Sequence, residues 1–81
     1  MHAATLRFSY ADAARASVVA ASVAREAGDI EGDRTEATVD RDGATVTVRV
    51  SADDLVALRA GTNTWTSLVE TAEAAAASAA D

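Results

Sequence analysis

Two stretches of the chain alternate between apolar and polar residues, which is the pattern of a β-strand with one buried face. The first covers residues 4–9. The second covers residues 35–50 and is interrupted by Arg41-Asp42-Gly43. Aspartate followed by glycine suits a tight turn, because glycine adopts positive φ without a side-chain clash. The second stretch therefore predicts a β-hairpin.

The segment between these stretches has the composition and periodicity of a helix. Residues 11–27 contain no glycine or proline, are rich in alanine and carry apolar residues at helical spacing. Ser9 or Asp12 is expected to cap its first turn, and Gly28 is expected to follow its last turn. The acidic residues 29–33 then predict an exposed loop before the hairpin.

A second helix is predicted after the hairpin, with Ser51 as its cap and the carboxylates of Asp53 and Asp54 at its positive end. The alanine-rich residues 74–81 are expected to fray, and residues 1–81 together are expected to form a single domain. The predicted apolar stripe of this helix consists of Leu55, Leu58, Thr62, Trp65, Val69 and Ala72, with Leu68 beside it.

The order strand, helix, strand, strand, helix predicts an α+β fold. The first helix is long enough to return the chain along the first strand, so the first two strands are expected to run parallel. The third strand is expected between them, which gives a three-stranded antiparallel sheet. Both helices are expected on one face of this sheet. The covered face would carry Leu6, Phe8, Val39, Val46, Val48 and Val50, and the open face Thr5, Arg7, Thr45, Thr47 and Arg49.

The small size of this domain favours association with other chains. A chain of 81 residues buries a smaller share of its unfolded surface than a large domain does, and this one has no cysteine for a disulfide or a zinc site. Both outer strands leave an unpaired edge that can accept a second copy. The second helix is also longer than the strands, so part of it is expected to project or to bind a partner.

The charge balance argues against an independent nucleic-acid-binding protein. All seven basic residues are arginine, against thirteen aspartates and glutamates, which gives a formal charge of −6. Arg7 and Arg49, with Arg41 as a third, are candidates for weak RNA contact on the open sheet face. The acidic, lysine-free composition is typical of salt-loving archaea, where salt screens the acidic charges, although a GC-rich genome also favours arginine and alanine.

The residue types that catalysis requires are scarce. There is no cysteine nucleophile, and the four glycines are too scattered to form a phosphate-binding loop. His2 is expected at a mobile, exposed terminus. An acylphosphatase-like enzyme would need a further strand after the second helix. No catalytic residue, metal or cofactor is therefore expected, and four loop or turn carboxylates are expected to be solvated, namely Glu31, Asp33, Asp40 and Asp42.

The second helix contains residues that helix propensity does not favour. Gly61 and Asn63 are poor helix formers, but glycine lets a neighbouring helix approach and asparagine can hydrogen-bond across an interface. A tolerated glycine and a surface asparagine are the alternatives. Trp65, the only tryptophan, belongs to a type that is enriched at interfaces and at least as common in cores. Arg59 can pair with an acid of a partner, contact RNA or remain solvated.

The same helix is similar to the second helix of the Pcc1 family, in which Leu-Arg-Ala is followed by Asn-Ser and further apolar residues. Here residues 58–60 read Leu-Arg-Ala and residues 63–64 read Asn-Thr, with threonine in place of the usual serine. Gly61 stands where the family often has a larger residue. The likeness extends over nearly the whole chain, through Phe8-Ser9, the alanine-rich helix, Asp42-Gly43 and residues 51–55.

The resemblance implies a small subunit of the KEOPS complex that forms a homodimer with a joined sheet and binds the catalytic subunit Kae1 through its helices. Kae1 transfers a threonylcarbamoyl group to adenosine 37 of tRNAs that read codons beginning with adenine. The chain would then be a non-catalytic scaffold beside Kae1 and other KEOPS subunits, and tRNA would contact it indirectly or weakly. The implied partner contacts are Leu58, Arg59, Asn63, Trp65 and Leu68.

The alternative is a free-standing RNA-binding module of KH-like shape. A KH domain needs a Gly-X-X-Gly loop, and the sequence contains none. The chain also has no segment of signal-peptide type and no apolar stretch near the roughly 20 residues that span a bilayer. The protein is therefore expected in the cytoplasm, without membrane contact.

Overall fold

The computed structural model describes residues 1–30 and 35–80. The chain forms a three-stranded antiparallel sheet and two helices in the order β-α-β-β-α, so the predicted α+β fold is confirmed. The elements are β1 (His2–Ser9), α1 (Ala13–Ile30), β2 (Thr35–Asp42), β3 (Thr45–Ala52) and α2 (Leu55–Ala80).

Strand β3 lies in the centre of the sheet, between β1 and β2, and pairs antiparallel with both. Its register places Val48 opposite Leu6 of β1 and Val39 of β2. The next residue along β3, Arg49, lies opposite Thr5 and Thr38 on the other face. Successive residues of a strand point to opposite faces, so this register separates an apolar face from a polar one.

The core lies between the apolar face of the sheet and the two helices. Val46, Val48 and Val50 of the central strand are at most 1% exposed. They pack with residues of both helices, which therefore cover the same face as predicted. The helical members of this cluster are Ala16, Val19 and Val23 of α1 and Trp65, Val69, Ala72 and Ala76 of α2.

The helix ends differ in part from the expectation. Asp12 caps α1, because its Oδ1 accepts a hydrogen bond of 2.8 Å from the backbone N–H of Arg15. The prediction that Ser51 caps α2 is wrong, because Ser51 lies in β3 and pairs with Ala3 of β1. The cap is Asp54, whose Oδ1 accepts a hydrogen bond of 2.7 Å from the backbone N–H of Ala57. The predicted end of α1 at Gly28 is also wrong, since the helix continues to Ile30.

The loop predicted for residues 29–33 falls largely outside the described residues. Asp29 belongs to α1, and residues 31–34 are not described. His2, expected at a mobile terminus, instead lies in β1 and pairs with Ala52, although its side chain is exposed.

The hairpin turn depends on one glycine. Asp42 pairs with Thr45, so Gly43 and Ala44 form a two-residue loop, and Gly43 has φ of 60°. Positive φ at the first loop position, with glycine there, is typical of a type II′ turn.

Gly43→Ala is expected to destabilise the fold by about 1 kcal/mol, because a Cβ in the left-handed region strains the backbone. A Cβ at this position would meet nothing within 4 Å, so a steric contact does not contribute. Chemical denaturation measures the effect, and Gly43→Asn, which tolerates positive φ better, should lose less. Equal stability of the alanine variant and the wild type would contradict this explanation of the turn.

Helix α2 is the longest element and extends beyond the sheet. Its 26 residues correspond to about 39 Å, against about 27 Å for an eight-residue strand. Residues 74–80 continue the helix, and Ala76 packs in the core, while fraying of residues 74–81 stays a prediction. Neither of the described helices is long and apolar enough to cross a membrane.

Candidate partner-binding surface

Helix α2 presents its residues to the core, to α1, to the side of β1 and to solvent. Successive helical residues are rotated by about 100°, so residues four or three apart share a side. The buried side consists of Ala57, Gly61, Trp65, Val69, Ala72 and Ala76. The five residues predicted as partner contacts are distributed over the core, the side of α1 and solvent.

Trp65 belongs to the core. Its side chain is 5% exposed and packs in the cluster of buried valines. It also lines a cavity of about 280 Å³ together with Thr35, Ala37, Ala57, Ala60, Gly61 and Thr64. The sequence left two roles open for Trp65, that of a core residue and that of an exposed interface residue. Its burial favours the role in the core.

Leu68 lies at the side of α2 that faces α1, and it is half-buried. It is shared by two neighbouring surface grooves of about 380 and 400 Å³. The first lies between the helices and is lined by Ser22, Arg25, Glu26, Leu68, Thr71, Ala72 and Ala75; the second is lined by Asn63, Thr64, Ser67, Leu68 and Thr71. We call these two depressions together the Leu68 groove.

The threonines of the Leu68 groove make it less polar than the sequence suggests. Thr64 Oγ1 donates to the carbonyl of Ala60 at 2.9 Å, and Thr71 Oγ1 donates to the carbonyl of Ser67 at 3.0 Å. A hydroxyl that bonds to the preceding turn has its donor satisfied within its own helix. The groove can therefore receive an apolar partner surface without leaving these two donors unpaired.

Arg59 and Asn63 lie on the solvent side of α2, where both are exposed. They are rotated by about 40° from each other, whereas Asn63 points about 160° away from Trp65. Asn63 borders the Leu68 groove and Arg59 does not. A partner seated in the groove would thus reach Asn63 more directly than Arg59.

Leu58 is half-buried and packs against the core, and it is rotated by about 80° from Leu68 around the helix axis. Farther along α2, Glu73 Oε2 accepts a hydrogen bond of 2.7 Å from the Tyr10 hydroxyl just after β1. Burial, the hydrogen bond and the negative charge of Glu73 raise the pKa of the Tyr10 phenol well above its usual range. Tyr10 thereby ties the far half of α2 to the end of β1.

Gly61 makes a close approach to the sheet, not to another helix as expected. A Cβ at Gly61 would lie 3.1 Å from Cγ1 of Val50 and 3.5 Å from Cγ2 of Thr35. The predicted need for a small residue is therefore correct, but its cause is the packing of α2 on β2 and β3.

The open sheet face carries both charge signs. Arg7 and Arg49 are exposed there, as predicted, but Glu36 and Asp40 are diagonal neighbours of Arg49 through the register of β2 and β3. Arg41 is not a third basic residue of this face. It lies opposite the buried Val46, and its side chain donates to the carbonyl of Gly43 at 3.0 Å.

Within residues 1–30 and 35–80, no three histidine or acidic side chains are placed to hold a metal ion together. The prominent features of these residues are instead the outer edges of a three-stranded sheet and the Leu68 groove, in an α+β fold.

The family model described as "Transcription factor Pcc1" matches residues 3–76. The chain therefore belongs to the Pcc1 family, a family of small accessory subunits of the KEOPS complex, and the resemblance seen in the sequence is confirmed. No curated protein matches the chain significantly.

Proposed function

We propose that this chain is the non-catalytic scaffold and dimerisation subunit of a KEOPS complex in the cytoplasm. It binds a Kae1-like catalytic subunit, works beside other KEOPS subunits and supports N6-threonylcarbamoyladenosine formation at position 37 of tRNA. The family match over residues 3–76 is the observation that carries this proposal. Two unpaired strand edges and a groove between the helices support the scaffold role, because both are surfaces for other chains.

The Leu68 groove is the proposed binding site for Kae1. Leu68 supplies apolar area at its centre, and the small side chains of Ser67, Thr71 and Ala75 allow a partner helix to approach. Asn63 at its border can hydrogen-bond to the partner, and Arg25 and Glu26 on α1 offer charges of both signs. Leu58 and Arg59 then contribute at the margin, and Trp65 contributes by holding α2 in place.

Contact with tRNA is proposed to be weak or to go through Kae1. Arg7 and Arg49 share the open sheet face with Glu36 and Asp40, so its positive charge is offset locally. Filter binding of tRNA to the chain alone, and to its complex with Kae1, separates this proposal from that of a free-standing RNA-binding module. Tight, salt-sensitive binding by the chain alone would favour the module.

Leu68→Asp is expected to weaken the complex with a Kae1-like protein at least about tenfold, because it places a charge in the apolar centre of the interface. Isothermal titration calorimetry on the purified chains measures the affinity. Val56→Asp is the matched control: it makes the same kind of change on α2 at a residue that is 75% exposed and outside the groove.

Circular dichroism should show that both variants keep the fold, and light scattering that both keep the oligomeric state of the wild type. If folded Leu68→Asp binds Kae1 as tightly as the wild type, the Leu68 groove is not the binding site. If the wild type itself does not bind a Kae1-like protein from the same organism, the scaffold function is wrong.

A further inference from the structure

We propose that the hydrogen bond between Tyr10 and Glu73 fixes the far half of α2, residues 68–80, on the sheet and thereby holds the Leu68 groove in the shape that binds its partner. Tyr10 and Glu73 are then positioning residues, because neither lines the groove itself. The inference deepens the proposed function and rests on it, since it concerns the same groove.

The hydrogen bond joins two parts of the chain that are 63 residues apart. Tyr10 is fixed on the sheet side, because its backbone N–H donates to the carbonyl of Ala44 at 2.9 Å and its side chain packs against the core. Its hydroxyl donates to Glu73 Oε2 at 2.7 Å. Hydrogen bonds to an ionised carboxylate are shorter and stronger than neutral ones, so this bond is a firm attachment between the sheet and α2.

The hydroxyl groups of α2 do not provide such an attachment. Four threonines each donate to the carbonyl of the residue four positions earlier in the same helix, namely Thr62, Thr64, Thr66 and Thr71. These hydrogen bonds stay within α2 and leave its rotation about its own axis unrestrained. The bond of Glu73, in contrast, reaches another element of the fold and has a defined direction.

The far half of α2 is held in the core by small side chains. From residue 68 onward, it contributes Val69, Ala72 and Ala76 to the buried cluster, whereas the large Trp65 belongs to the near half. Apolar stabilisation grows with the buried area, and an alanine methyl adds little. Small side chains also interlock less with their neighbours than large ones do. A directional hydrogen bond is therefore needed to select one rotation of this half of the helix.

Glu73 and the Leu68 groove lie on opposite flanks of the buried stripe. Glu73 is rotated by about 140° from Leu68, and Val69 and Ala72 lie between them. On the groove side, Ser22 of α1 lines the depression between the two helices. Because a helix moves as one rigid element, a rotation that separates Glu73 from Tyr10 also displaces Leu68 relative to α1. The hydrogen bond on one flank thus sets the shape of the groove on the other.

Three variants weaken or remove the hydrogen bond in different ways. Tyr10→Phe keeps the ring and removes the hydroxyl, Glu73→Gln keeps an acceptor oxygen but removes the charge, and Glu73→Ala removes the acceptor. Glu70→Gln is the matched control, since Glu70 is an exposed acid of α2 that does not line the Leu68 groove. Circular dichroism should show that all four variants keep the fold.

Hydrogen–deuterium exchange of the chain alone measures whether the bond fixes the helix. Amides of residues 70–77 should exchange several-fold faster in Tyr10→Phe and Glu73→Ala than in the wild type, with β3 unchanged. Glu73→Gln should lie between them and the wild type, because a neutral hydrogen bond is weaker than one to a carboxylate. Glu70→Gln should exchange like the wild type.

Tyr10 also provides a spectroscopic signature, because it is the only tyrosine of the chain. Burial raises the pKa of the Tyr10 phenol, and the hydrogen bond and charge of Glu73 raise it further. In folded Glu73→Gln the phenol should therefore ionise at lower pH than in the wild type, as followed by phenolate absorbance. An unchanged titration would show that Glu73 does not hold the hydroxyl in solution and would overturn the inference.

Isothermal titration calorimetry with a Kae1-like protein measures the effect on the groove. We expect Tyr10→Phe and Glu73→Ala to bind about three- to tenfold more weakly, because only a fraction of the molecules then has the binding shape. Glu73→Gln should bind with intermediate affinity and Glu70→Gln like the wild type. The double variant of Tyr10→Phe and Glu73→Ala should lose no more affinity than the weaker single variant, since both changes remove one bond.

The inference and the proposed function fail in different ways. Faster exchange with unchanged affinity for Kae1 would make the bond a purely structural feature and overturn the inference, and so would unchanged exchange of residues 70–77. A wild type that does not bind a Kae1-like protein contradicts the proposed function, and the effect on the groove falls with it. Exchange of the chain alone still decides whether the bond fixes α2.

Discussion

Trp65→Ala is expected to remove most of the stability of the isolated chain. Truncation of a buried tryptophan typically costs about 3–5 kcal/mol, through lost apolar burial and the cavity that remains. A domain of this size has a total free energy of unfolding on the order of 4–12 kcal/mol. Trp65 is 5% exposed between α2 and the sheet, and it already borders a cavity of about 280 Å³, which the substitution would enlarge.

Thermal unfolding followed by circular dichroism measures this effect, and Asn63→Ala on the exposed side of the same helix is the control. The control should unfold within a few degrees of the wild type, whereas Trp65→Ala should be largely unfolded or melt far lower. A cooperative transition near that of the wild type would show that Trp65 is dispensable for packing. Because of this expected loss, a reduced affinity of Trp65→Ala for Kae1 cannot by itself identify a contact residue.

The order of elements and the central position of β3 could be predicted because the sequence signals are local and agree with one another. Alternation along the chain defines β2 and β3, in which valines occupy three inward positions of β3 and one of β2, and Gly43 marks the turn that makes these strands neighbours. Because a helix connects the first two strands, only a few arrangements of the three strands in one sheet are possible. The open face could be predicted for the same reason, since Arg7 and Arg49 follow from the two-residue period.

The helix boundaries were less predictable because several nearby residues can serve as caps. Ser51 and Asp54 both carry side-chain oxygens that suit a helix start, and the register of β3 decides between them. Since β3 extends to Ala52, Ser51 is part of the sheet and Asp54 caps the helix. Gly28 has a similar ambiguity, because a glycine that is compatible with a helix end does not enforce one.

The candidate site was predicted only in part, because helical periodicity does not reveal what covers each side of a helix. The predicted stripe began at Leu55, which is 54% exposed, and it omitted Ala57, which is buried. The contribution of α1 to the Leu68 groove, through Ser22 and Arg25, depends on contacts between distant parts of the chain. Periodicity placed Leu68 beside the apolar stripe, but its role as a partner contact was implied by the family resemblance and stays a prediction.

Gly61→Val is expected to destabilise the fold by about 1–3 kcal/mol, the usual range for an overpacked core. The first side-chain carbon would lie 3.1 Å from Cγ1 of Val50, which is 1% exposed and cannot move away without disturbing the sheet. Valine adds two further carbons at a position where its side-chain rotamer is restricted by the helix. Better helix propensity than glycine offsets only a few tenths of a kcal/mol.

Chemical denaturation of Gly61→Val, Gly61→Ala and the wild type measures this balance. Alanine gains about 1 kcal/mol of helix propensity over glycine, and its single carbon needs a shift of only a few tenths of an ångström at Val50. Alanine should therefore stay near the wild type while valine falls clearly below it. If Gly61→Val were as stable as the wild type, the sheet would have to rearrange at Val50 without loss of stability. The packing of α2 on β3 would then not require the small residue at position 61.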